Sequence, residues 1–182
     1  MAGNVFGNPV TDDVVKLIYP NEEVTPQLRA KVAFQDMTAD DRNVNCQNFV
    51  HNLKTDYGKG NSVLCMIFNW NGDTLTYVNN KDWHGSVWKS SAPAKIQNGQ
   101  WGGFLYVHST LHGSEGAVVY RGNNGDGVGC EWLLAWDNPL SGGNRVSSSS
   151  LTSYYLFYFE LPYNVISHNF IKFMTVLQVI RI

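Results

Sequence analysis

Three tryptophans beside glycine and polar turns are the residues of this sequence best suited to hold a ligand. Trp83 and Trp88 lie in DWHGSVW, and Trp101 lies in NGQWGG. An exposed indole can stack on a sugar ring or hold a quaternary ammonium group by cation–π attraction. The alternative is that these rings only close the ends of a β-structure, because tryptophan is usually mostly buried. In contrast, one strand face carries residues predicted for the core: Trp132, Leu134 and Trp136.

Residue patterns that would support metal or catalytic chemistry are weak. His108 and His112 are four residues apart, but they flank a strand end and a glycine turn instead of sharing a helix face. The glycine-rich segment NNGDGVGCE offers only Asp126 and Glu131, too few oxygens for a calcium loop. We find no G-x-S-x-G, P-loop or dinucleotide fingerprint, and no paired nucleophile and base. The sequence therefore predicts a protein that is not an enzyme and has no metal or cofactor.

Charge further narrows the partners that we expect. The chain has 13 Lys and Arg against 15 Asp and Glu, a net charge of −2, without a basic stripe. Nucleic-acid binding through phosphate contacts is therefore not expected, and capture by anionic lipid is disfavoured. No stretch approaches the roughly 18 apolar residues that a membrane-spanning helix requires.

The cysteines and the N-terminus predict an intracellular protein. Cys46, Cys65 and Cys130 are an odd number at wide spacing, which is typical of a reducing compartment. The first residues, MAGNVFGNPVTDD, have neither the basic start nor the apolar core of a secretory signal. We expect cytoplasmic localisation, with nuclear entry also open to a chain of this size.

Two helices are predicted before the strands. Thr25-Pro26 has the pattern of an N-cap followed by proline at the first helical position. A second helix is predicted from apolar residues at helical spacing, with Gly58 as its stop. Its apolar face is formed by Cys46, Phe49, Val50, Leu53 and Tyr57.

After Gly60 the apolar period shortens to that of β-strands. Strands are predicted over 63–70, 74–78, 83–89, 104–108, 117–120 and 132–136. NWNGD carries an Asn-Gly turn signal between the first two, and RGNNGDGVG is predicted as the tip of a hairpin. Short strands separated by such turns indicate a sandwich or a small barrel. We predict an α+β fold, mainly an antiparallel β-sandwich with two N-terminal helices.

Composition changes abruptly at Val146. All 17 glycines and all six tryptophans precede Arg145, and the chain continues with SSSS (147–150) and the aromatic run YYLFYF (154–159). Three segments are therefore predicted: an N-terminal segment over 1–24, a domain of helices and sandwich over 25–146, and an aberrant tail over 147–182. We hypothesise that the tail is translated intron sequence. An exon followed directly by a GT-type splice donor can encode Val146-Ser147 when it is read through. AT-rich intron sequence also tends to encode the Phe, Tyr, Ile, Leu and Ser residues that are common in the tail.

Several blocks resemble a known plant family. In order and spacing, MAGNVFGNPVT (1–11), NGQWGGFLYVH (98–108), GAVVYRG (116–122) and EWLLAWDNP (131–139) resemble the small, twenty-three-kilodalton jasmonate-induced proteins. The resemblance covers about residues 1–145. It implies a jasmonate- or stress-responsive protein with a part in plant defence, usually without a signal peptide.

A more distant resemblance suggests what the sandwich binds. NWNGDTL (69–75), GAVVYRG and LLAWDNPLSGGN (133–144) are similar to the actinoporin-like, nakanori-type β-sandwich, whose members recognise lipid head groups. In the actinoporins a strand ends in proline and an asparagine follows after a short loop. The resemblance implies that Pro139 and Asn144 take those places, with spacing one residue longer. The aromatic residues that complete the actinoporin pocket and the amphipathic pore-forming helix have no counterpart in this sequence.

Together these patterns predict a non-catalytic, lectin-like module that binds a carbohydrate or a membrane-lipid head group. The predicted contact residues are Trp83, Trp88, Trp101, Pro139 and Asn144. The alternative is a protein-interaction or storage role without a small-ligand site. The oligomeric state and the identity of the ligand do not follow from the sequence.

Overall fold

The computed structural model describes residues 3–108, 112–124, 126–141, 143, 145–151 and 176–177. The helices in these ranges are α1 (Asp12–Ile18), α2 (Pro26–Gln35) and α3 (Arg42–Tyr57), with a 3₁₀ turn at Ala39–Asp41. The strands are β1 (Val5–Phe6), β2 (Ser62–Phe68), β3 (Leu75–His84), β4 (Ser86–Val87), β5 (Lys95–Ile96), β6 (Trp101–Val107), β7 (Ser114–Asn123), β8 (Gly129–Asn138), β9 (Arg145–Leu151) and β10 (Val176–Leu177).

The strands form two antiparallel sheets. One sheet has the order β1-β6-β2-β10, with β4 also paired to β6, and α3 packs on it; we call it the helix-covered sheet. The second sheet has the order β5-β3-β7-β8-β9. Cys65 lies opposite Phe104 in the first, and Val118 lies opposite Leu134 in the second. The predicted α+β sandwich is confirmed.

The helices begin and end where local chemistry stabilises their free backbone groups. Thr25 Oγ1 accepts from the Leu28 N–H at 3.2 Å, and Pro26 follows at the first helical position. The N–H of Gly58 donates to the Lys54 carbonyl, and its φ of 82° favours glycine. Both predicted helices are confirmed. The short helix α1 is an addition, since it buries only Val15 and has no apolar stripe in the sequence.

Apolar side chains fill two main layers. Between the sheets lie residues from both, including Phe104, Tyr106, Tyr120 and Trp136. Between the helix-covered sheet and the helices lies a second layer, to which α3 contributes Cys46 and Val50. A smaller cluster joins α1 to α2. The predicted apolar face of α3 is confirmed, because Phe49, Leu53 and Tyr57 also pack on this second layer. 

Two connections cross between the sheets, and the second contradicts a predicted strand. The NWNGD turn does not join neighbouring strands, because β2 and β3 belong to different sheets. The strand predicted over 83–89 is broken at Gly85: β3 ends at His84, and β4 pairs with β6 in the other sheet. Gly85 has a φ of 108°, and a Cβ there would lie 2.1 Å from the Val107 carbonyl oxygen. Glycine lets the chain change sheets at this point.

The hairpin predicted from RGNNGDGVG is confirmed, since β7 and β8 pair up to Asn123 and Gly129. The boundary predicted after Val146 falls inside β9, which pairs along β8 from Arg145 to Leu151. Residues 152–175 and 178–182 lie outside the described residues, so the hypothesis about the origin of the tail stays a hypothesis.

Candidate functional site

One end of the sandwich gathers polar and apolar groups from both sheets. It is formed by the starts of β2 and β7 and by the ends of β3, β6 and β8, and we call it the Pro139 end. Pro139 follows β8 directly and is half-buried. The pairing of Ser114 with Asn138 brings the start of β7 beside it.

The Pro139 loop is held by Asn61. The Nδ2 of Asn61 donates to the carbonyl oxygens of Asn138 at 3.1 Å and Pro139 at 3.2 Å, and its Oδ1 accepts from Asn138 Nδ2. The Asn61 carbonyl accepts from the His108 N–H at 3.0 Å and from Ser114 Oγ at 3.4 Å. Asn61 therefore fixes the backbone around Pro139, because polar networks with all their hydrogen bonds made are rigid.

The loop is also packed too closely for a side chain beneath it. A Cβ on Gly113 would lie 2.2 Å from the Asn138 carbonyl oxygen and 2.5 Å from Pro139 Cα. Asn138 is buried, and its Oδ1 has no hydrogen-bond donor among the described residues. Buried acceptors are normally paired, so this oxygen is an exception within an otherwise hydrogen-bonded loop.

Two histidines and a glutamate lie at the same end. The imidazole rings of His84 and His112 stack with centroids 4.2 Å apart, and His84 Nε2 lies 3.8 Å from Glu115 Oε2. Within the described ranges no cluster of three or more His, Cys, Asp or Glu side chains could hold a metal ion. This arrangement can bind and orient a polar group.

Exposed apolar side chains lie at the start of the loop beyond the clamp and just after it. Leu140 is 54% exposed, and Val146 at the start of β9 is 44% exposed. Trp83, at the end of β3, is half-buried. Large exposed apolar residues grouped at one end of a molecule are typical of surfaces that contact a membrane or a partner.

The structure separates the predicted contact residues. Trp83 and Pro139 both lie at the Pro139 end, whereas Asn144 is outside the described residues. The predicted exposure of Trp101 is wrong: it is 5% exposed, packs on Phe68 under the helices, and donates Nε1 to the Met37 carbonyl at 2.9 Å. A buried ring in that layer cannot contact a ligand on the surface.

Trp88 is half-buried on the flank of this end. Its Nε1 donates to Asp56 Oδ2 at 3.0 Å, and its ring meets Tyr57 edge-on at 5.0 Å. Hydrogen bonds from Lys89 first, and then from Trp88, lower the pKa of the Asp56 carboxyl. The indole nitrogen of Trp88 is therefore engaged within the protein.

Sequence reasoning missed Asn61, Asn138 and Leu140. The clamp joins residues 77 positions apart, and a lone asparagine at a strand start carries no signal of such a partner. The one available signal was DNPL (137–140), in which two polar residues follow a predicted strand and proline and leucine come next. None of the helices in the described ranges is long and apolar enough to cross a bilayer.

Comparison with known proteins agrees with this architecture. The chain is 41% identical over 150 residues to the "23 kDa jasmonate-induced protein" of Hordeum vulgare, covering 80% of this chain and 71% of the relative. It is 35% identical over 90 residues to the "Jasmonate-induced protein homolog" of Atriplex canescens, covering 50% of this chain and 49% of that relative. Both matches agree with the predicted resemblance to jasmonate-induced proteins.

A solved structure and a family model extend the comparison. The crystal structure described as lipid binding protein Nakanori superposes with a TM-score of 0.73 at 25% identity, covering 82% of this chain and 74% of that one. The model of the Nakanori-like protein family matches residues 3–161. That match extends beyond residue 145, where the resemblance seen in the sequence ends. The chain belongs to the Nakanori-like family.

Proposed function

We propose that this chain is a non-catalytic, stress-responsive protein that binds a lipid head group through the Pro139 end. The observation that carries the proposal is the combination at this end of a rigidly clamped loop and exposed apolar side chains. Leu140 and Val146 can enter the interfacial region of a bilayer, while Asn61 keeps the loop backbone in place. The likeness to a solved lipid-binding protein supports the same surface-binding role.

Charge favours a zwitterionic or neutral head group over an anionic one. At the Pro139 end His84 Nε2 lies 3.8 Å from Glu115 Oε2, and Arg145 Nη1 is 3.9 Å from Asp137 Oδ2, so the basic side chains there already face carboxylates. The whole chain has a net charge of −2. Attraction to an anionic surface needs unpaired cations, which these pairs do not supply.

Vesicle flotation tests the proposal. The full chain is expected to float with vesicles of phosphatidylcholine, sphingomyelin and cholesterol, and to bind phosphatidylserine vesicles no better. Leu140→Glu should reduce binding by roughly tenfold or more, because burial of a leucine contributes about 1.5–3 kcal/mol and the new charge opposes entry. Trp83→Ala tests whether the half-buried indole takes part.

A matched variant distinguishes an effect specific to the Pro139 end from a general effect of exposed apolar side chains. Leu17 on α1 is 84% exposed, and α1 lies at the other end of the sandwich, where Arg29 joins Asp12 to the Gly72 carbonyl. Leu17→Glu should leave vesicle binding unchanged. Equal losses in the two variants would contradict the proposal. Flat responses to all vesicles, together with a flat glycan array, would favour the protein-interaction role.

A further inference from the structure

The end of the sandwich opposite to the Pro139 end carries an open cleft of about 350 Å³. Its lining comes from residues 9–12 before and at the start of α1, from Arg29 of α2, and from the loops 72–74 and 97–98. Sites for small molecules usually have volumes of roughly 300–1,000 Å³, so the cleft is large enough for a small ligand. Because β2 and β6 run between the two ends, the cleft is separate from the surface proposed for lipid binding.

The buried side chain of Asn98 joins the parts of the chain that form the cleft. Its Oδ1 accepts from the Gly72 N–H at 3.0 Å, and its Nδ2 donates to the carbonyl oxygens of Arg29 at 3.1 Å and Val10 at 3.4 Å. A Cβ on Gly72 would lie 2.2 Å from the Pro26 carbonyl oxygen, so this loop packs directly on the start of α2. The cleft is therefore fixed before a ligand binds, which lowers the entropy cost of binding.

An ion pair in the cleft presents a hydrogen-bond donor and an acceptor side by side. Arg29 Nη1 donates to Asp12 Oδ1 at 2.9 Å, and Arg29 Nε donates to the Gly72 carbonyl at 2.7 Å. Among the described residues Arg29 Nη2 has no acceptor, and it is not buried. The Asp12 side chain is 59% exposed, which leaves its second oxygen accessible. A hydroxyl group both donates and accepts, so one hydroxyl can accept from Nη2 while its neighbour donates to Asp12.

The charges of the cleft favour a neutral ligand. Asp12 and Asp73 supply two carboxylates against the one guanidinium of Arg29, and no other charged side chain of the described ranges lines the cleft. An anion would face both carboxylates, while the guanidinium is already paired. A cation would compete with Arg29 for Asp12, and with Asn123, whose Nδ2 donates to Asp73 Oδ2 at 2.6 Å. Neither sign of charge is therefore matched.

We propose that this cleft binds a neutral sugar, with adjacent hydroxyl groups on Arg29 and Asp12. None of the described residues that line it is aromatic, and Pro9 and Val10 provide a small apolar wall for the C–H groups of a sugar ring. A sugar ring combines such C–H groups with several hydroxyls, so it matches a lining in which polar groups predominate. The inference is independent of lipid binding at the Pro139 end.

Amide NMR spectra of the full chain, titrated with simple sugars, test the chemistry. The probes are the methyl glycosides of glucose, galactose and mannose, and the phosphate esters of the same sugars. We expect at least one glycoside to shift the amide signals of Gly72, Asp73 and Gln97 in a saturable way. Its phosphate ester should bind roughly tenfold more weakly, because the cleft carries two carboxylates. The proposal is overturned if no glycoside shifts these signals at millimolar concentration, or if the ester binds equally well.

Two neighbouring aspartates provide a matched pair of variants. Asp12→Ala removes the carboxylate acceptor and should weaken binding of the glycoside roughly threefold to tenfold. Asp13→Ala is the control, because Asp13 is also exposed in the first turn of α1 but does not line the cleft. Both variants remove a negative charge from the same end of the helix. Equal losses of binding in the two folded variants would therefore contradict a direct contact of the sugar with Asp12.

Crossed assays separate the sugar site from the lipid site. Leu140→Glu should bind the glycoside as the wild type does, and Asp12→Ala should float with vesicles as the wild type does. Loss of glycoside binding in a folded Leu140→Glu would place the sugar at the Pro139 end and overturn the proposal. If vesicle binding fails while the glycoside still binds, only the lipid proposal is lost.

The source of the sugar is tested with Leu140→Glu and phosphatidylcholine vesicles that carry a ceramide with the same sugar. Flotation of this variant would identify the head group of a glycolipid as the ligand of the cleft. Binding of the free glycoside without flotation would identify a soluble glycan.

Discussion

The helix-covered sheet and the second sheet bury their strands differently. β2 and β6 are buried at every position, with helices on one face and the other sheet on the opposite face. On β8 of the second sheet Leu134 and Trp136 are buried, whereas the neighbouring Leu133 and Ala135 are partly exposed. Continuous apolar runs and alternating patterns are the expected sequences for these two environments.

This difference explains where ligands can be bound. The two main strands of the helix-covered sheet have no free face, so it contributes walls and ends of strands but no open surface. The second sheet carries exposed positions, and its strand β8 leads directly into Pro139 and Leu140. Function is therefore expected at the strand ends, while the helix-covered sheet supplies stability.

Matched leucine truncations provide the strongest test of this division. Leu105 is fully buried under the helices, and Leu133 lies on the outer face of β8. Leu105→Ala should lower the free energy of unfolding by about 2–5 kcal/mol, and Leu133→Ala by about 1 kcal/mol or less. Urea denaturation measures both. Similar losses would mean that the two sheets are equally protected from solvent.

Two arginines provide the next comparison. Arg42 at the start of α3 is buried and donates to the carbonyl oxygens of Ala39 and Gly99 at 2.8 and 2.9 Å. Arg121 pairs with Glu131 across two strands of the second sheet, with its side chain 60% exposed. Arg42→Met should cost about 2–3 kcal/mol of unfolding free energy because buried acceptors lose a charged donor, whereas Arg121→Met should cost about 0.5 kcal/mol.

A larger loss of unfolding free energy in Arg121→Met than in Arg42→Met, measured by the same denaturation assay, would contradict this expectation. It would mean that the cross-strand ion pair, and not the buried arginine, holds its region together.

The smallest of these expected changes in the free energy of unfolding occurs at alkaline pH. Burial raises the pKa of the Cys46 thiol from 9.0 to about 12. Between these values the thiol is protonated in the folded chain and ionised in the unfolded chain. Unfolding then releases a proton, so stability falls as pH rises, by about 1.4 kcal/mol at pH 10.

Cys46→Ala should remove that part of the pH dependence when denaturation is repeated from pH 8 to 10. Cys130→Ala is the comparison in the second sheet, where burial also raises the pKa of the thiol. The same pH slope in the wild type and Cys46→Ala would contradict the strong burial of Cys46 between α3 and the helix-covered sheet.

Local sequence patterns predicted the helices and strands better than they predicted which strands pair with one another. The apolar face of α3 and the β7–β8 hairpin follow from residues close in sequence, and both are confirmed. The change of sheet after β2 depends on pairing with distant strands, which a turn signal such as NWNGD does not encode. Sandwich and helices could thus be predicted, but the order of strands could not.

The error at Trp101 has a physical cause. The adjacent Gly102 and Gly103 suggested a turn, yet both lie inside β6. A Cβ on Gly103 would lie 2.9 Å from Val50 Cγ1, so glycine is present because α3 approaches the strand closely. The same closeness buries the indole of Trp101. Of the predicted contact residues in the described part of the chain, only Trp83 and Pro139 lie at the Pro139 end.

Asn61 gives the Pro139 loop a mechanical link to the rest of the molecule. Asn61 directly precedes β2, on which α3 packs. Its side chain donates hydrogen bonds to the loop that follows β8 of the opposite sheet. If a membrane binds the loop as proposed, a load on it would pass to β2 through the Asn61 side chain and through Asn138, whose Nδ2 donates to the Ser62 carbonyl at 3.1 Å. Binding at the loop would then slow hydrogen exchange at the start of β2, on the opposite sheet from the loop itself.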